Sequence, residues 1–231
     1  MTVTIVMTTW IPEGQQGKDR LKAEYECLFS WNNNLKYSDQ INLHIQDDGS
    51  KQEDYDKVIM QAHEIWKRGD ISWGQQKRKG VGASLNNGIF TAFKSSEIVL
   101  NAVDDWELLQ VLDLDPWVNF LKDPQYEVGM VRFFAHPDLT GTIKHIPPHG
   151  WAMKLDWHHY VFSFRPCLWN KKFFEVWGEF EENRSALGSE EEFNNRLVRN
   201  GRLGEDAAVW LALPELWRPF ETGSLADMVP Q

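Results

Sequence analysis

Acidic residues stand in pairs at two points where an apolar, β-branched run of the chain ends. Asp47 and Asp48 follow one such run, and Asp104 and Asp105 follow another. Carboxylates at a strand end can accept hydrogen bonds from a nucleobase or a ribose. Asp47 and Asp48 could instead cap a turn in which Gly49 takes a positive φ. The first pair is therefore a candidate either for nucleotide binding or for turn formation.

The second pair, Asp104 and Asp105, predicts a positive charge nearby. Adjacent carboxylates repel each other by about 1 kcal/mol even in water-like surroundings, and by more when they are less screened. Mg²⁺ or Mn²⁺ prefers such hard oxygen ligands and would neutralise charge on a departing phosphate. The alternative is an acidic helix N-terminus, which the helix dipole favours.

A third acidic group, Glu190-Glu191-Glu192, precedes an amphipathic segment. One of these glutamates could act as a general base on an acceptor hydroxyl, an effect worth roughly 10²–10⁴ in rate. The group could also be the acidic first turn of a helix capped by Ser189. Glu205 and Asp206 form a second acidic pair, which we rank below the first.

Strands and helices alternate through the first 105 residues, and this order predicts how the acidic groups are placed. We expect strands at residues 2–10, 41–45, 71–73 and 97–103, and helices at 19–35, from a cap at Asp54 onward, and at 81–92. Such alternation indicates a parallel sheet with right-handed crossovers. Ligands of these sheets bind beyond the carboxyl ends of the strands, where both acidic pairs fall.

The second half of the chain is less regular. We expect a helix at 107–121, a strand at 128–134, a loop-rich stretch at 135–164, helices at 171–177 and 190–200, a strand at 207–212 and an irregular tail. No repeat or linker divides the 231 residues, so one domain is predicted.

Composition excludes several classes of protein. With 34 acidic and 24 basic residues the net charge is −10, which argues against binding nucleic acid through the overall field, although a local basic surface could still form. Two cysteines are too few for a secreted disulfide scaffold. No apolar run approaches 18 residues and no basic-then-apolar leader opens the chain, so we expect a cytoplasmic protein without membrane insertion. The 12 Trp and 13 Phe predict a large aromatic core.

In their order along the chain, these motifs resemble glycosyltransferase family 2 on the A-type (GT-A) glycosyltransferase fold. Residues 3–10 resemble the first nucleotide-binding strand, 47–50 the motif after the second strand, 79–88 the Gly-rich helix start and 103–106 the Asp-x-Asp region. Residues 178–182, 190–201 and 217–224 resemble the later motifs. The sequence departs from the family pattern at Leu85, where Arg is usual, at Ala102, where the first Asp is usual, and in lacking a late His.

The resemblance implies an α/β fold: a single GT-A-like domain over residues 1–231, with a mostly parallel, Rossmann-like sheet flanked by helices. Residues 1–106 would bind the nucleotide sugar, and the loop-rich residues 107–231 would bind the acceptor. The implied activity is transfer of a hexosyl or pentosyl group, with inversion, from a nucleotide-diphosphate sugar to an acceptor hydroxyl.

Roles for individual residues also follow from the resemblance. Glu190 would be the general base, with Glu191 the next choice, and Asp104, helped by Asp105, would hold Mn²⁺ or Mg²⁺ across the diphosphate. The expected donor-binding residues are Thr8, Thr9, Trp10, Asp47, Asp48, Asn86 and Asp104. The expected acceptor-binding residues are Trp106, Arg165, Trp151 and Trp157.

Other functions remain open at the level of sequence. The acceptor could be a glycan, a small molecule or a hydroxylated DNA base, and the oligomeric state is undetermined. The departures from the family pattern also fit a binding module for nucleotide sugars or glycans that has lost catalysis. A nucleotidyltransferase would need a Gly-rich basic loop after the first strand, for which residues 12–18 are a weak candidate.

Overall fold

The structure is a computed structural model, and it describes residues 1–133, 141–146, 150–155, 162–199, 208–212 and 217–219. Its helices are α1 (Gln15–Asn34), α2 (Gln52–Ile65), α3 (Val81–Ala92), α4 (Asp115–Lys122), α5 (Lys171–Trp177) and α6 (Ala186–Arg199). Its strands are β1 (Val3–Thr9), β2 (Leu35–Lys36), β3 (Ile41–Asp47), β4 (Ile71–Gln75), β5 (Ile98–Asn101), β6 (Trp106–Leu108), β7 (Leu112–Asp113), β8 (Val128–Arg132), β9 (Gly141–Ile146), β10 (Gly150–Leu155), β11 (Cys167–Asn170), β12 (Ala208–Ala212) and β13 (Trp217–Pro219).

Nine of these strands form one mixed sheet in the order β4-β3-β1-β5-β11-β8-β12-β10-β9. The strands β4, β3, β1 and β5 are parallel, as the alternating sequence predicted. From β11 onward the sheet is mixed, because β11 runs antiparallel to both β5 and β8 whereas β12 is parallel to β8. The register places Thr9 beside Asp47 and Val6 beside Asn101, so the carboxyl ends of β1, β3 and β5 meet at one edge.

Helices cover both faces of this sheet, and the side chains of β1 show how. Val3, Ile5 and Met7 are buried in one apolar cluster with α1, α2 and α4, whereas Val6 points into a second cluster with α3, α5 and α6. Such burial on both faces explains the nearly continuous apolar run of β1.

The second cluster is largely aromatic, which confirms the aromatic core expected from composition. Rings from α5, α6 and the segments around them pack with centroid distances between 4.6 and 6.2 Å, in the range that favours tilted and edge-to-face pairs.

The helix predicted at residues 107–121 is wrong in its first half. Residues 106–108 and 112–113 form β6 and β7, which pair with β13 and β2, and α4 begins only at Asp115. Pro116 explains the boundary, since proline is tolerated in the first turn of a helix but breaks its interior.

The predicted loop at 135–164 and the predicted irregular tail each contain strands. β9 and β10 pair as an antiparallel hairpin, and β13 pairs with β6. Residues 142–146 read Thr-Ile-Lys-His-Ile, and this segment does not alternate strictly between polar and apolar residues, so the local pattern gives little sign of β9.

Helix starts were also misplaced, although the predictions at 81–92 and 171–177 are confirmed as α3 and α5. α1 begins at Gln15, and α2 begins at Gln52 with Asp54 inside its first turn, so Asp54 is not the cap. α6 begins at Ala186, so Ser189 lies within the helix, where its hydroxyl donates to the carbonyl of Glu181. Among the helices of the described residues, none combines the length and apolar composition that crossing a bilayer requires.

Candidate active site

A cleft lies at the edge where β1, β3 and β5 end. The space between its walls is about 620 Å³ when open solvent is included, and the centre of a water molecule can occupy about 40 Å³ of it. Residues from all three strand ends, from α1 and α3 and from the start of α6 face it. They are Thr8, Thr9, Trp10, Arg20, Asp48, Arg78, Gly80, Val81, Ser84, Leu85, Asn101, Val103, Asp104, Phe164 and Ala186. The cleft therefore brings together five of the seven predicted donor-binding residues.

The end of β1 forms the floor of the cleft and is tied to the end of β3. The amide of Asp48 donates to the carbonyl of Thr9 over 2.9 Å, and the amide of Ile11 donates to the hydroxyl of Ser50 over 2.8 Å. Trp10 is half-buried, and the guanidinium of Arg78 lies 3.6 Å from the centroid of its ring. An apolar ring face and a cation thus stand together at the cleft wall.

Asp47 forms the turn after β3 and does not face the cleft. One carboxylate oxygen accepts from the amides of Gly49 and Ser50 over 2.9 and 2.8 Å and from the side chain of Gln75, and the other accepts from the Ser50 hydroxyl. Gly49 has a φ of 91°, which favours glycine. Asp47 is completely buried, so its carboxylate acts within the turn.

Asp48 faces the cleft and fastens the start of α3 to the end of β3. Its Oδ1 accepts from the amide of Lys79 and the side chain of Gln76, and its Oδ2 accepts from the amide of Gly80, all over 2.9 Å. A carboxylate has about four acceptor positions, so one position on Oδ2 remains for another donor.

Asp104 and Asp105 are both buried against Arg20 of α1. Nε of Arg20 donates to Asp104 Oδ2 over 3.1 Å, Nη2 donates to the other Asp104 oxygen, and Nη1 donates to Asp105 Oδ2 over 3.1 Å. The positive charge that the two acids were expected to require is therefore this guanidinium. Burial alone would lower the pKa of Arg20, but the charges of Asp104 and Asp105 outweigh it and raise the pKa.

Glu24 lies one helical turn beyond Arg20 and is completely buried. Burial raises the pKa of Glu24 well above its usual range, and the charge of Asp104 raises it further, against the opposing effects of Arg20 and of the Thr9 hydroxyl. Burial likewise raises the pKa of Asp105 to about 6, although Arg20 opposes the shift. Burial thus favours the protonated forms of Glu24 and Asp105, which lowers the negative charge of the acidic cluster formed by Glu24, Asp104 and Asp105.

These contacts do not fit a divalent metal at Asp104 and Asp105. Both oxygens of Asp104 and one oxygen of Asp105 accept from Arg20, which leaves only the buried Asp105 Oδ1 without a hydrogen-bond partner. Ala102 supplies no ligand, and the described ranges contain no group of three His, Cys, Asp or Glu residues that could hold a metal. Mg²⁺ and Mn²⁺ need several oxygen ligands, which this arrangement does not offer.

Glu190 lies beside the cleft, one turn after Ala186 on α6. Its Oε1 accepts from the amide of Phe164 over 2.6 Å and from the hydroxyl of Ser163 over 3.1 Å. Burial raises the pKa of Glu190, while these two hydrogen bonds and the guanidinium groups of Arg165 and Arg132 partly offset the shift. Phe164 itself faces the cleft, so the side chain of Glu190 is joined to the cleft wall through the backbone amide of Phe164.

Glu191 and Asn86 do not face the cleft. Glu191 is exposed and lies over a separate surface depression with Arg184 and Arg196. The side-chain amide of Asn86 pairs with the backbone of Phe180 through two hydrogen bonds of 2.9 Å, which join α3 to the segment before α6.

Two of the four predicted acceptor-binding residues, Trp106 and Arg165, lie among the residues whose side chains the structure describes. Trp106 is buried in the core, and the guanidinium of Arg165 lies 5.5 Å from the centroid of its ring. Trp151 lies on β10, of which the backbone is described, and Trp157 lies outside the described residues.

Arg20 and Glu24 were missed by sequence reasoning, although a signal was present. Spacing places them on the same face of α1 as Cys27, Leu28 and Trp31, which are completely buried. Two charged residues within an apolar helix stripe predict a buried polar contact, because an unpaired charge is too costly to bury.

The parallel strands, the antiparallel β11 that follows them and the cleft at their carboxyl ends form a GT-A-like fold. Solved structures share it: GalNAc-T7 with UDP, GalNAc and Mn²⁺ (TM-score 0.59, 12% identity, 91% of this chain and 42% of that chain) and a mannosyltransferase from Pyrobaculum calidifontis in complex with GDP-Man and Mn²⁺ (TM-score 0.50, 16% identity, 91% and 56%). The predicted fold class is therefore confirmed.

A third structure of this fold is a CMP:2-keto-3-deoxy-manno-octonic acid synthetase complexed with CTP (TM-score 0.50, 9% identity, 92% of this chain and 89% of that chain). This chain thus spans about half the length of the two glycosyltransferase chains but nearly the whole length of the synthetase. The sequence matches no protein-family model and no curated protein.

Proposed function

We propose that the protein is an inverting glycosyltransferase, which moves a sugar from a nucleotide-diphosphate sugar to an acceptor hydroxyl with Glu190 as the general base. One observation carries the proposal: in a GT-A-like fold, a cleft lined by the ends of β1 and β5 lies against the backbone segment that Glu190 holds. Ligands of open α/β sheets bind at this edge. Two of the similar structures contain nucleotides or nucleotide sugars with Mn²⁺, which supports the same class of donor here.

On this proposal the nucleoside binds between Trp10 and Asp48. The Arg78 guanidinium covers one face of the half-buried Trp10 ring, so a base would stack on the other face. Asp48 Oδ2 keeps one acceptor position for a base N–H or a ribose hydroxyl. Asp47 and Asn86 act as positioning residues, because their polar atoms are held by the turn after β3 and by Phe180.

The chemical step is a single displacement at the anomeric carbon. The acceptor oxygen forms a bond to that carbon as the bond to the diphosphate oxygen breaks, and the nucleoside diphosphate leaves with the electron pair. Glu190 accepts the hydroxyl proton. Its Oε2 has no hydrogen-bond partner in the part of the chain described here, and its raised pKa makes it a better proton acceptor than an exposed glutamate.

The test is release of nucleoside diphosphate from a panel of UDP- and GDP-sugars with glycans, sugars and hydroxymethylated DNA as acceptors. Glu190→Gln should lower turnover by roughly 10²–10⁴. Glu191→Gln, its exposed neighbour, should stay near wild type, as should Glu175→Gln on the surface of α5. If Glu191→Gln alone loses activity, the role of base moves to Glu191. No transfer with any pair would favour the binding module.

A nucleotidyltransferase is the second candidate, since a synthetase complexed with CTP shares the fold. That reaction would consume a nucleoside triphosphate and release pyrophosphate. The chain between β1 and α1 spans only residues 10–14 and contains one glycine, so it offers no Gly-rich basic loop for a triphosphate. Pyrophosphate release from CTP or UTP with sugar phosphates would favour this candidate over the first.

A further inference from the structure

We propose that Arg20 takes the place of a divalent metal in this cleft, so that the protein binds the diphosphate of its donor without a metal ion. The inference rests on the proposed function, because it concerns how that donor is held. It departs from the metal dependence that the sequence resemblance implied.

The first argument is that the oxygens a metal would use are already taken. Arg20 meets Asp104 through Nε and Nη2, which engages both oxygens of that carboxylate, and it reaches Asp105 through Nη1. A metal at this position would have to displace a guanidinium that is about 6% exposed and leave it buried without its partners. Such a group is part of the site rather than a mobile side chain that happens to cover it.

The second argument is that the guanidinium is free to bind an anion on its remaining side. An arginine carries five N–H groups, and its bonds to Asp104 and Asp105 use three of them. The other two, on Nη1 and Nη2, have no hydrogen-bond partner among the described residues. Arg20 faces the cleft next to Asp104, so these N–H groups can meet phosphate oxygens, for which the planar fork of arginine is well suited.

A second cation completes the arrangement. Arg78 faces the same cleft beside Trp10, so a diphosphate between the two guanidinium groups would meet positive charge from both. The second guanidinium is needed because the positive charge of Arg20 is already shared with the carboxylates of Asp104 and Asp105. The departing phosphate would be stabilised by both arginines, which supply the electrostatic effect usually ascribed to a bound cation.

The test measures binding of UDP, GDP, CDP and ADP by calorimetry, first with EDTA and then with MnCl₂. We expect at least one diphosphate to bind with the same affinity in both buffers, and paramagnetic resonance to find Mn²⁺ free in solution. An affinity gain of about tenfold or more with Mn²⁺, or bound Mn²⁺, would overturn the inference and leave the proposed function standing. Binding in neither buffer would overturn the proposed function and this inference together.

Variants of α1 give an independent measurement. Arg20→Met should weaken diphosphate binding roughly 10- to 100-fold in EDTA, the size expected for losing hydrogen bonds to a charged group. Lys22→Met is the matched control, because Lys22 lies on the same helix with its side chain 78% exposed, and it should leave binding unchanged.

Arg20→Met also removes the cation that compensates two buried carboxylates. Arg20→Lys therefore serves as the second variant, since it keeps the charge but loses the fork, and it should fold and bind more weakly than wild type in both buffers. Binding by Arg20→Lys or a folded Arg20→Met at the wild-type level would contradict the inference.

Discussion

Glu190 and Glu191 are neighbours in the chain, yet α6 gives them different surroundings. Glu190 is partly buried and holds the backbone of Phe164, whereas Glu191 is exposed. The family pattern alone left the choice between them open. Burial and contact with the cleft wall now favour Glu190, because a buried carboxylate binds a proton more tightly than an exposed one.

The pH dependence of transfer should report the raised pKa of Glu190. A base must be ionised to accept a proton, so the rate should fall as the pH is lowered through that pKa, at a higher pH than the ordinary value of about 4.3 for glutamate predicts. Initial rates across the acidic range check this. An acid limb at the ordinary glutamate value would contradict the assignment.

The raised pKa of Glu190 should have the opposite pH dependence in folding stability: stability falls, whereas the transfer rate rises, as the pH increases. The folded protein binds the Glu190 proton more tightly than the unfolded chain, so this contribution to stability is full at low pH and is lost as the pH rises through the raised pKa. The free energy of unfolding of Glu190→Gln should lack this loss, which urea titrations at several pH values can measure alongside the rates.

Asp48→Asn should destabilise the protein by about 1–3 kcal/mol. The three donors that Asp48 accepts from include the amides of Lys79 and Gly80, and an asparagine NH₂ would point at one of them and leave it unpaired. Urea unfolding measures the loss. Asp56→Asn is the control, because Asp56 accepts one exposed side-chain bond on α2 and should change little. Equal stability of the two variants would contradict the role given to Asp48.

At the scale of elements, α3 and the segment that leads into α6 approach each other unusually closely. A Cβ on Gly82 would lie 2.5 Å from the carbonyl oxygen of Glu181 and 3.2 Å from the hydroxyl of Ser189. Glycine permits this approach because it has no Cβ. The helix α3, which borders the cleft, is thereby joined to the helix that carries Glu190.

Gly82→Ala should therefore cost about 1–3 kcal/mol, the usual range for overpacking, and should also lower activity. Gly188→Ala in α6 is the matched control. Its nearest neighbour would be the Ser185 hydroxyl at 3.2 Å, and alanine is a better helix former than glycine by about 1 kcal/mol. Thermal and urea unfolding of both variants check the difference. A neutral Gly82→Ala would show that the two segments separate easily.

Helices and strands could be predicted from the sequence where the local apolar pattern agrees with the faces that are buried in the fold. β1 and α3 have apolar patterns that match their buried faces, and their bounds were predicted within one residue. β6 failed because its short strand depends on pairing with β13, more than 100 residues later. The same holds for the site: Asp104 and Asp105 stand out in sequence, whereas their partner Arg20 becomes evident only when α1 is packed against β6.

At the scale of the whole molecule, one sheet carries strands from both halves of the chain. β5 pairs with β1 on one side and with β11 on the other. The aromatic cluster likewise combines Leu85 and Ile89 of α3 with rings from α5 and α6. We therefore expect the two halves to fold as one unit.

A fragment of residues 1–106 should not fold cooperatively. It would expose the edge of β5 and the apolar face of α3, both of which the second half covers. Circular dichroism melting and dye binding to exposed apolar surface test this against the full chain. A fragment with a sharp unfolding transition would show that the first half is an independent domain.

The tight contact between α3 and residues 181–184 also bears on how such a protein can diversify. A substitution near that contact would shift both the cleft wall formed by α3 and the helix α6 that carries Glu190, so both elements restrict which side chains fit there. In contrast, β9 forms the outer end of the nine-stranded sheet and pairs there only with β10 among the described strands. We therefore expect insertions to be tolerated better at the outer edge of the sheet than near Gly82.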